Sequence, residues 1–539
     1  MYLASPRRAV PRRATPRQAS PGLEHAHSTT GFAVSVSASP FVECQLSGSA
    51  GAWTDVTADV RLAQPIRAIY GISGDGPTDR VAQTGTLAFS LDNSQANSGS
   101  LLGYYSPDHA NARLGFDNGT PVRFGAVYSG STFYKSICSL DTIEPLPGKY
   151  RERYTSCQAV DWLDDAAKYK LRLLEVQLNK RADQNIATIV GAMTKKPPAS
   201  ALATGQDIFP YSLDTSKDET TTAMAEFAKS VMSELGFLYM AAGSLVFDDR
   251  HARLKTTTSS ASLSDTMVAM RASRERAKIF NRVKTTTHPR EVDSAASILY
   301  TLQGKPLVNS SASLVMTGAY TDPTQRGSVR VGGASMITPA STTDFLMNSA
   351  SDGSGTDLTA NFGVSASYGG NSVRYSIFNG GGTAGYVTQL QARGIGIYTK
   401  EPTVSEKQDQ TSIEAYGEAV LEFDMPYQSS VLVGDDAANS LLATQKDPAT
   451  RINEIELIGN RSDELMLAGL RTEPGDRVTI VETATGINKS FYVNGCEVSV
   501  EAGNLWRFIW HVTPAETSTY WILGIANYSE LGQTTILGY

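Results

Sequence analysis

The sequence is poor in the residues that most often carry chemistry. Only four of its 539 residues are cysteine and six are histidine, and none has the CxxC, HExxH or Cys/His spacing that holds zinc. The cysteines, Cys44, Cys138, Cys157 and Cys496, are also too few and too scattered for a disulfide scaffold. We therefore expect buried or free thiols and no metal centre.

Long apolar runs are missing as well. No stretch approaches the roughly 18 apolar residues that a membrane helix needs, and the N-terminus lacks the apolar core of a secretory signal. Apolar residues make up 41% of the chain and charged residues 19%, which excludes a wholly disordered protein. The sequence predicts a soluble globular protein that is made in the cytoplasm and does not insert into membranes.

Outside the N-terminus, acidic residues outnumber Lys and Arg. The net charge is −7, and the first 20 residues contain five arginines and no acid, so the remainder carries −12. Such a body is not expected to bind nucleic acid, which requires clustered Lys and Arg. Prolines recur at Pro6, Pro11, Pro16 and Pro21 and predict an extended arm at 1–31. This arm either lies on an acidic neighbour or nucleic acid, or is a disordered leader.

The length predicts about three to five domains. The fold class that we expect is mainly β with an α+β middle. Its parts would be two small tube-like β-barrel domains, a helix-plus-hairpin domain and an inserted β-sandwich. After the Pro/Arg-rich N-terminal arm, the expected divisions are a first β-barrel at 32–160, an α+β middle domain at 161–299, the inserted β-sandwich at 300–410, a helix with a second β-barrel at 411–515 and a C-terminal tail at 516–539.

Hydrophobic periodicity places elements in the first half of the chain. Alternation predicts strands at 87–91 and 122–126. A helix should begin at Asp161, and a second should end before Pro197-Pro198. Residues 220–235 have the clearest helical spacing, with Gly236 as the stop. A hairpin should follow at 237–247 and turn at Ala242-Gly243.

The second half alternates short strands with one helix. The Ser/Gly-rich insert offers strands at 328–331, 358–367, 373–377, 386–390 and 396–398. A helix is expected at 435–446 with Asp435 as its N-cap. The predicted strands after it are 451–457, 477–481, 490–493 and 505–512.

No combination of residues predicts catalysis. The adjacent acids Asp164-Asp165, Asp248-Asp249 and Asp435-Asp436 are typical of turns and helix caps, because neighbouring strand residues point to opposite faces. The loop 352–357 lacks the spaced ligands of an EF-hand, and the glycines at 380–385 precede no helix that could hold phosphate. The sequence also lacks a G-x-S-x-G elbow. We expect no catalytic, cofactor-binding or metal-binding residues and no cofactor.

Short stretches along the chain form a characteristic series. They are WTDVTADV at 53–60, GTLAFSLDN at 85–93, YSP at 105–107, GTPVRF at 119–124, AVDWL at 159–163, LGFLY at 235–239, LVFDDRH at 245–251, YGE at 416–418, EPGDRV at 473–478, TGI at 485–487 and FYVNG at 491–495. Over about residues 40–515 this series resembles the baseplate hub and tail-tip proteins of long-tailed, siphovirus-type bacteriophages.

The resemblance implies a structural, non-enzymatic virion protein that forms a homotrimeric baseplate hub. Two tube-like barrels per chain would give a pseudo-sixfold ring that joins a sixfold tail tube or distal tail ring to a threefold tip. The implied partners are the distal tail protein or tail tube protein, the tape measure protein and the central fibre or tip protein. DNA would only pass through the channel during genome ejection, which suits an acidic body.

Two other functions stay open. The insert at 300–410 could make the chain a receptor-binding tail adhesin or fibre protein that recognises host surface glycan. A cell-wall hydrolase is the third hypothesis, which the missing Cys/His and paired-acid signatures disfavour.

Overall fold

The computed structural model describes residues 36–46, 51–148, 152–172, 174–213, 221–324, 331–515, 520–521 and 536–537. Within these residues the protein is mainly β, with several sheets and most of its helices outside the insert, as the sequence predicts. The predicted N-terminal arm at 1–31 lies outside the described residues.

The first β unit comprises residues 36–46, 51–148 and 152–160. Its strands are β1 (Ser39–Cys44), β2 (Thr54–Asp55), β3 (Ile66–Gly71), β4 (Thr86–Asp92), β5 (Pro121–Tyr128), β6 (Ser131–Leu146) and β7 (Tyr154–Val160). The strands predicted at 87–91 and 122–126 are confirmed within β4 and β5. The long connection from β4 to β5 is held by buried Asp59, whose carboxylate accepts hydrogen bonds from Ser98 and Tyr105.

The middle region is α+β. Its elements are α1 (Trp162–Lys168), β8 (Gln177–Lys180), α2 (Ala182–Ala192), β9 (Ala199–Leu202), β10 (Phe209–Ser212), α3 (Ala223–Glu234), β11 (Phe237–Ala241), β12 (Ser244–Asp248) and α4 (Ala252–Lys255). Asp161 caps α1 as predicted, because its carboxylate accepts the Leu163 N–H.

The helix α3 and the hairpin after it confirm the predicted helix-plus-hairpin, with one correction. The residue that ends α3 in a left-handed conformation is Leu235, at φ 60°, rather than Gly236. The hairpin turn at Ala242 and Gly243 has positive φ at both positions, which matches the right-handed twist of β11 and β12.

Strands β13 (Ala261–Ser264), β14 (Ala269–Ser273) and β15 (Arg282–Thr287) lead into the insert. The insert contains β16 (Arg290–Val292), β17 (Ser297–Thr301), β18 (Leu307–Val308), β19 (Ser313–Ala319), β20 (Gly332–Ala334), β21 (Phe345–Asn348), β22 (Phe362–Tyr368), β23 (Ser372–Asn379) and β24 (Gly385–Thr399). Strand β24 pairs with β16, β17, β18, β20 and β21, while β19, β23 and β22 form a second sheet. The two sheets enclose one apolar core.

Two strand predictions in the insert are wrong in detail. The strands predicted at 386–390 and 396–398 are one continuous strand, β24, because Gly394 and Gly396 stay in the ladder. Residues 359–361 form a 3-10 turn, so the strand predicted from 358 begins at Phe362. Residues 328–330 of another predicted strand lie outside the described residues.

The chain then returns to the body. The elements are β25 (Thr403–Gln408), α5 (Gln410–Tyr416), β26 (Val420–Met425), α6 (Val431–Gln445), β27 (Arg451–Ile458), α7 (Asp463–Arg471), β28 (Arg477–Glu482), β29 (Ile487–Glu501), β30 (Leu505–Pro514), β31 (Tyr520–Trp521) and β32 (Ile536–Leu537). Residues 451–515 are the second β unit. The predicted start of α6 is wrong, because the Ser430 hydroxyl caps the helix five residues before Asp435 would.

Strands of both β units belong to one 13-stranded sheet. Its main path runs β14-β27-β30-β29-β3-β4-β7-β6-β5-β1-β2, with β28 and β13 beside β29. Buried side chains from both units form a single apolar cluster beneath it. At the centre of that cluster, the Phe124 ring of the first unit stacks on Trp506 of the second with ring centroids 6.0 Å apart.

Candidate functional site

The joint between the β units is an antiparallel ladder between β3 and β29. Six residue pairs are in register, from Ile66 opposite Val500 to Gly71 opposite Gly495. Gly71 has φ +90°, and a Cβ there would lie 2.6 Å from the Asn494 carbonyl oxygen. Only glycine therefore allows the two backbones to approach this closely.

A buried lysine reinforces the joint. Lys135 is the extra residue of a β-bulge in β6, since Ser136 faces Phe124 and Tyr134 faces Gly125. The bulge breaks the alternation of faces, so Lys135 turns into the interior, where its side chain is fully buried. Lys135 belongs to the first unit, but its ammonium group lies against residues of the second unit.

The ammonium group of Lys135 caps the C-terminal end of α7. It donates to the Leu470 carbonyl at 3.0 Å and to the Gly469 and Thr472 carbonyls at 3.4 Å, and it pairs with Glu473 at 2.6 Å. A cation at this end stabilises the exposed carbonyls and the helix dipole. The cap joins residues more than 330 positions apart.

Glu473 lies in the same buried polar cluster. Burial raises its pKa, although the attraction of Lys135 acts to lower it. Asp476 beside it also has a raised pKa because of burial. Taking these carboxyls out of water is costly, so Lys135 is needed to hold Glu473 in place.

The opposite surface of the sheet is polar and partly exposed, and the turn of the β11–β12 hairpin packs on it at Ile137. Directly paired strand residues share a face, and the register places Arg507, Ser499, Arg67, Ala88, Gln158 and Thr142 on it in sequence across both units. We call this surface the open face. Its members are Arg271, Glu454, Glu456, Arg507, Ile509, His511, Glu497, Ser499, Glu501, Arg67, Ile69, Thr86, Ala88, Gln158, Thr142, Glu144, Arg123 and Glu43.

The arginines of the open face are held by glutamates on neighbouring strands. Across the joint, Arg67 donates two hydrogen bonds to Glu497, of 2.6 and 2.8 Å, and this contact raises the pKa of the guanidinium. In the second unit, Arg507 pairs with Glu456 and, at 3.1 Å, with Glu501.

The first unit contains a third such pair, and a looser fourth lies at the sheet edge. Arg123 pairs with Glu43, and its guanidinium also lies 4.3 Å from the centre of the Trp53 ring and 4.9 Å from that of Tyr134. At the edge, Arg271 lies 4.0 Å from Glu454 and is largely exposed. The open face thus has four arginines and six glutamates.

The adjacent acids weighed in the sequence have structural partners. Asp164 pairs with Lys168 and Asp165 with Lys195. Asp248 accepts a hydrogen bond from Tyr239, while Asp249 accepts one from Gln206. Asp435 pairs with Lys407. Asp164 and Asp165 lie in the first turn of α1, whereas Asp248 ends β12 and Asp435 lies inside α6, so neither of the last two caps a helix.

The other weighed features also lie in structural settings. In the loop 352–357, Asp352 and Asp357 accept hydrogen bonds from the backbone two residues on. All four cysteines are buried and unbridged. Across the described part of the chain, no group of three or more His, Cys, Asp or Glu side chains could hold a metal ion. No helix in that part is long and apolar enough to cross a membrane.

Sequence reasoning missed both the joint and the open face. The partners Arg67 and Glu497 are 430 positions apart, and local periodicity carries no information about such pairing. The available signal was the alternation of polar and apolar residues at 497–501, which indicates a half-exposed strand but not its neighbour.

Comparison with known proteins gives structural similarity only. No protein-family model matches the sequence, nor does any curated protein. A tail protein from Neisseria meningitidis MC58 superposes with a TM-score of 0.46 at 10% identity, over 89% of this chain and 97% of that one.

Two prophage proteins have similar scores. The 43 kDa tail protein of prophage MuSo2 from Shewanella oneidensis gives a TM-score of 0.45 at 9% identity, over 89% of this chain and all of that one. Prophage tail protein gp18 from Listeria monocytogenes EGD-e gives 0.40 at 7% identity, over 88% and 94%. These solved structures are tail proteins, the class that the sequence resembles.

Proposed function

We propose that this chain is a structural, non-enzymatic component of a phage tail tip. Three copies would form a baseplate hub ring that joins the sixfold tail tube or distal tail ring to a threefold central tip or fibre. The observation that carries this proposal is the side-by-side placement of two β units in one sheet with a common open face.

The geometry favours a ring in the following way. Each chain contributes two β units held at a fixed angle by the β3–β29 ladder and by Lys135. Three copies would therefore present six units, which would match a sixfold tube while keeping a threefold axis for the tip. The open face, with its excess of glutamate, would line the channel for DNA.

The partners follow from this position in the tail. The distal tail protein or the tail tube protein would contact the sixfold side, and the central fibre or tip protein the threefold side. The tape measure protein would enter the channel. DNA would only pass through it during ejection, because an acidic wall does not attract phosphate.

The oligomeric state tests the proposal. We expect light scattering coupled to size-exclusion chromatography to give three times the mass of one chain, and negative-stain images to show a ring with a central hole. A chain that stays monomeric at micromolar concentration and is absent from purified tails would contradict the proposal.

A receptor-binding adhesin is the second candidate, and one feature of the insert favours it. Phe378 is half exposed on the outer surface of the β19-β23-β22 sheet, directly between Ser313 and Gly363. An exposed ring beside small residues can stack on a sugar. Binding of the purified chain to host cells that is lost in Phe378→Ala would support this function, and no binding of the unmodified chain to host cells would contradict it.

A further inference from the structure

The arginines of the open face are arranged unlike those of a surface that binds DNA. Nonspecific DNA binding draws its affinity from Lys and Arg side chains that are free to neutralise phosphates. On the open face, Arg67, Arg507 and Arg123 each contact at least one glutamate on a neighbouring strand. We call these three contacts the arginine clamps.

A clamped arginine has little capacity left for a phosphate. In the Arg67 clamp, Nε and Nη2 donate in parallel to the two oxygens of Glu497, which is the geometry that a phosphate would otherwise take. Arg507 is held by two carboxylates, Glu456 and Glu501. Arg123 is held by Glu43 and lies close to two aromatic rings.

Stability alone does not account for the Arg67 clamp, the most exposed of the three. An exposed ion pair contributes about 0–1 kcal/mol, and half of the Arg67 side chain is exposed. The joint that the Arg67 clamp spans is already fixed by six ladder pairs and a shared core. The clamps recur in the first unit, in the second unit and across the joint, so they are a property of the whole face.

We propose that the arginine clamps keep the open face from binding duplex DNA that passes over it. The inference rests on the proposed function, in which this face lines the channel. The glutamates have two effects: they cancel the arginine charge, and they occupy the donors that would contact phosphate. The resulting wall is hydrated and polar, and Arg271, the open-face arginine outside the clamps, lies at the sheet edge.

The test is a gain of DNA binding. Glu43→Gln, Glu456→Gln, Glu497→Gln and Glu501→Gln together release the three arginines, because Arg507 has two partners. The binding of a labelled 30-base-pair duplex is followed by fluorescence anisotropy between 50 and 200 mM salt. We expect no saturable binding by the unmodified chain. The variant should bind, with log K falling against log salt with a slope of about −3 for three phosphate contacts.

A matched control separates the clamps from net charge. Glu144→Gln, Glu414→Gln, Glu464→Gln and Glu482→Gln remove the same number of acids, none of which pairs with an arginine in the described residues. We expect this control not to bind. Equal binding by control and variant, binding by the unmodified chain, or no binding by the variant at 50 mM salt would each overturn the proposal.

The two proposals can fail separately. Circular dichroism and light scattering on every variant establish that the fold and the oligomeric state are unchanged. A monomeric chain whose clamp variant alone gains binding would reject the hub and retain the clamps as the device that suppresses DNA binding. A trimeric ring whose clamp variant does not bind would retain the hub and reject the clamps.

Discussion

The two β units are joined to each other by a shared sheet and core, whereas the insert has a separate core. The β units are far apart in sequence, yet they share a sheet, an apolar cluster and the Lys135 cap. The insert lies between them in the chain but has a core of its own. Its apolar contact with the middle region is a small cluster around Tyr211 and Ile397.

The difference shows that order along the chain does not define structural independence here. Parting the β units would break a six-pair ladder and expose the stacked rings of Phe124 and Trp506. Removing the insert would expose mainly the small cluster around Tyr211. The β units should therefore behave as one cooperative body, and the insert as a separable module.

The largest effect is expected at the joint. Lys135→Met would leave the carboxylate of Glu473 buried and the last carbonyls of α7 uncapped. We expect a loss of about 3–5 kcal/mol in the free energy of unfolding, measured by urea denaturation with the fluorescence of the core tryptophans Trp506 and Trp510.

Two further variants sharpen this prediction. The double variant Lys135→Met with Glu473→Met should recover most of the loss, because it removes the unpaired buried charge. Lys195→Met breaks a half-exposed pair with Asp165 and should cost less than about 1 kcal/mol. A Lys135 variant no weaker than the Lys195 variant would contradict the importance of the joint.

A smaller effect concerns pH. Burial raises the pKa of Asp161 and of Glu234 to about 7 each, the second against the lowering effect of Arg250. Because the folded state then binds protons more tightly than the unfolded chain, their contribution to stability is complete below about pH 4. It is lost as the pH rises through about 7.

The measurement compares free energies of unfolding at pH 5 and pH 8. We expect a fall of about 1–3 kcal/mol per group, and a flatter profile for Asp161→Asn and Glu234→Gln. Asp344 of the insert should behave oppositely, and only at lower pH: burial alone would raise its pKa, but Arg393 holds it below its usual range. Its contribution to stability is therefore complete above about pH 4 and is lost as the pH falls below that value. An unchanged slope in both variants would contradict the assignment.

The smallest effect is expected from excising the insert. Thr287 at the end of β15 lies directly opposite Thr403 at the start of β25, so residues 288–402 can be replaced by a two-residue Asn-Gly turn. The remaining chain should keep its oligomeric state and lose less than about 1 kcal/mol. Aggregation or loss of assembly would show that the insert is part of the body.

Local patterns predicted the local elements well. Alternation identified β4 and β5, the acid at Asp161 identified the start of α1, and the Ala242-Gly243 turn identified the hairpin. Each depends on residues close in sequence. The start of α6 was misplaced because two candidate caps, Ser430 and Asp435, lie within five residues of each other.

The joint and the open face could not be predicted, because their contacts are distant in sequence. The burial of Lys135 depends on a bulge that breaks the alternation of β6, and a lysine in a strand normally indicates an exposed position. The sequence patterns predicted no helix between the strands at 451–457 and 477–481, where α7 lies. The clamps require the register of β3 on β29, which only the folded chain defines.

The ladder between β3 and β29 also affects how the protein is made. Glu497 is 430 positions after its partner Arg67. At about 5–20 residues per second, the ribosome adds Glu497 roughly 20–90 s after Arg67. During that time β3 has no partner from the second unit. A chain that stops before β29 leaves one edge of β3 unpaired, so a strand made late completes the sheet around a strand made early.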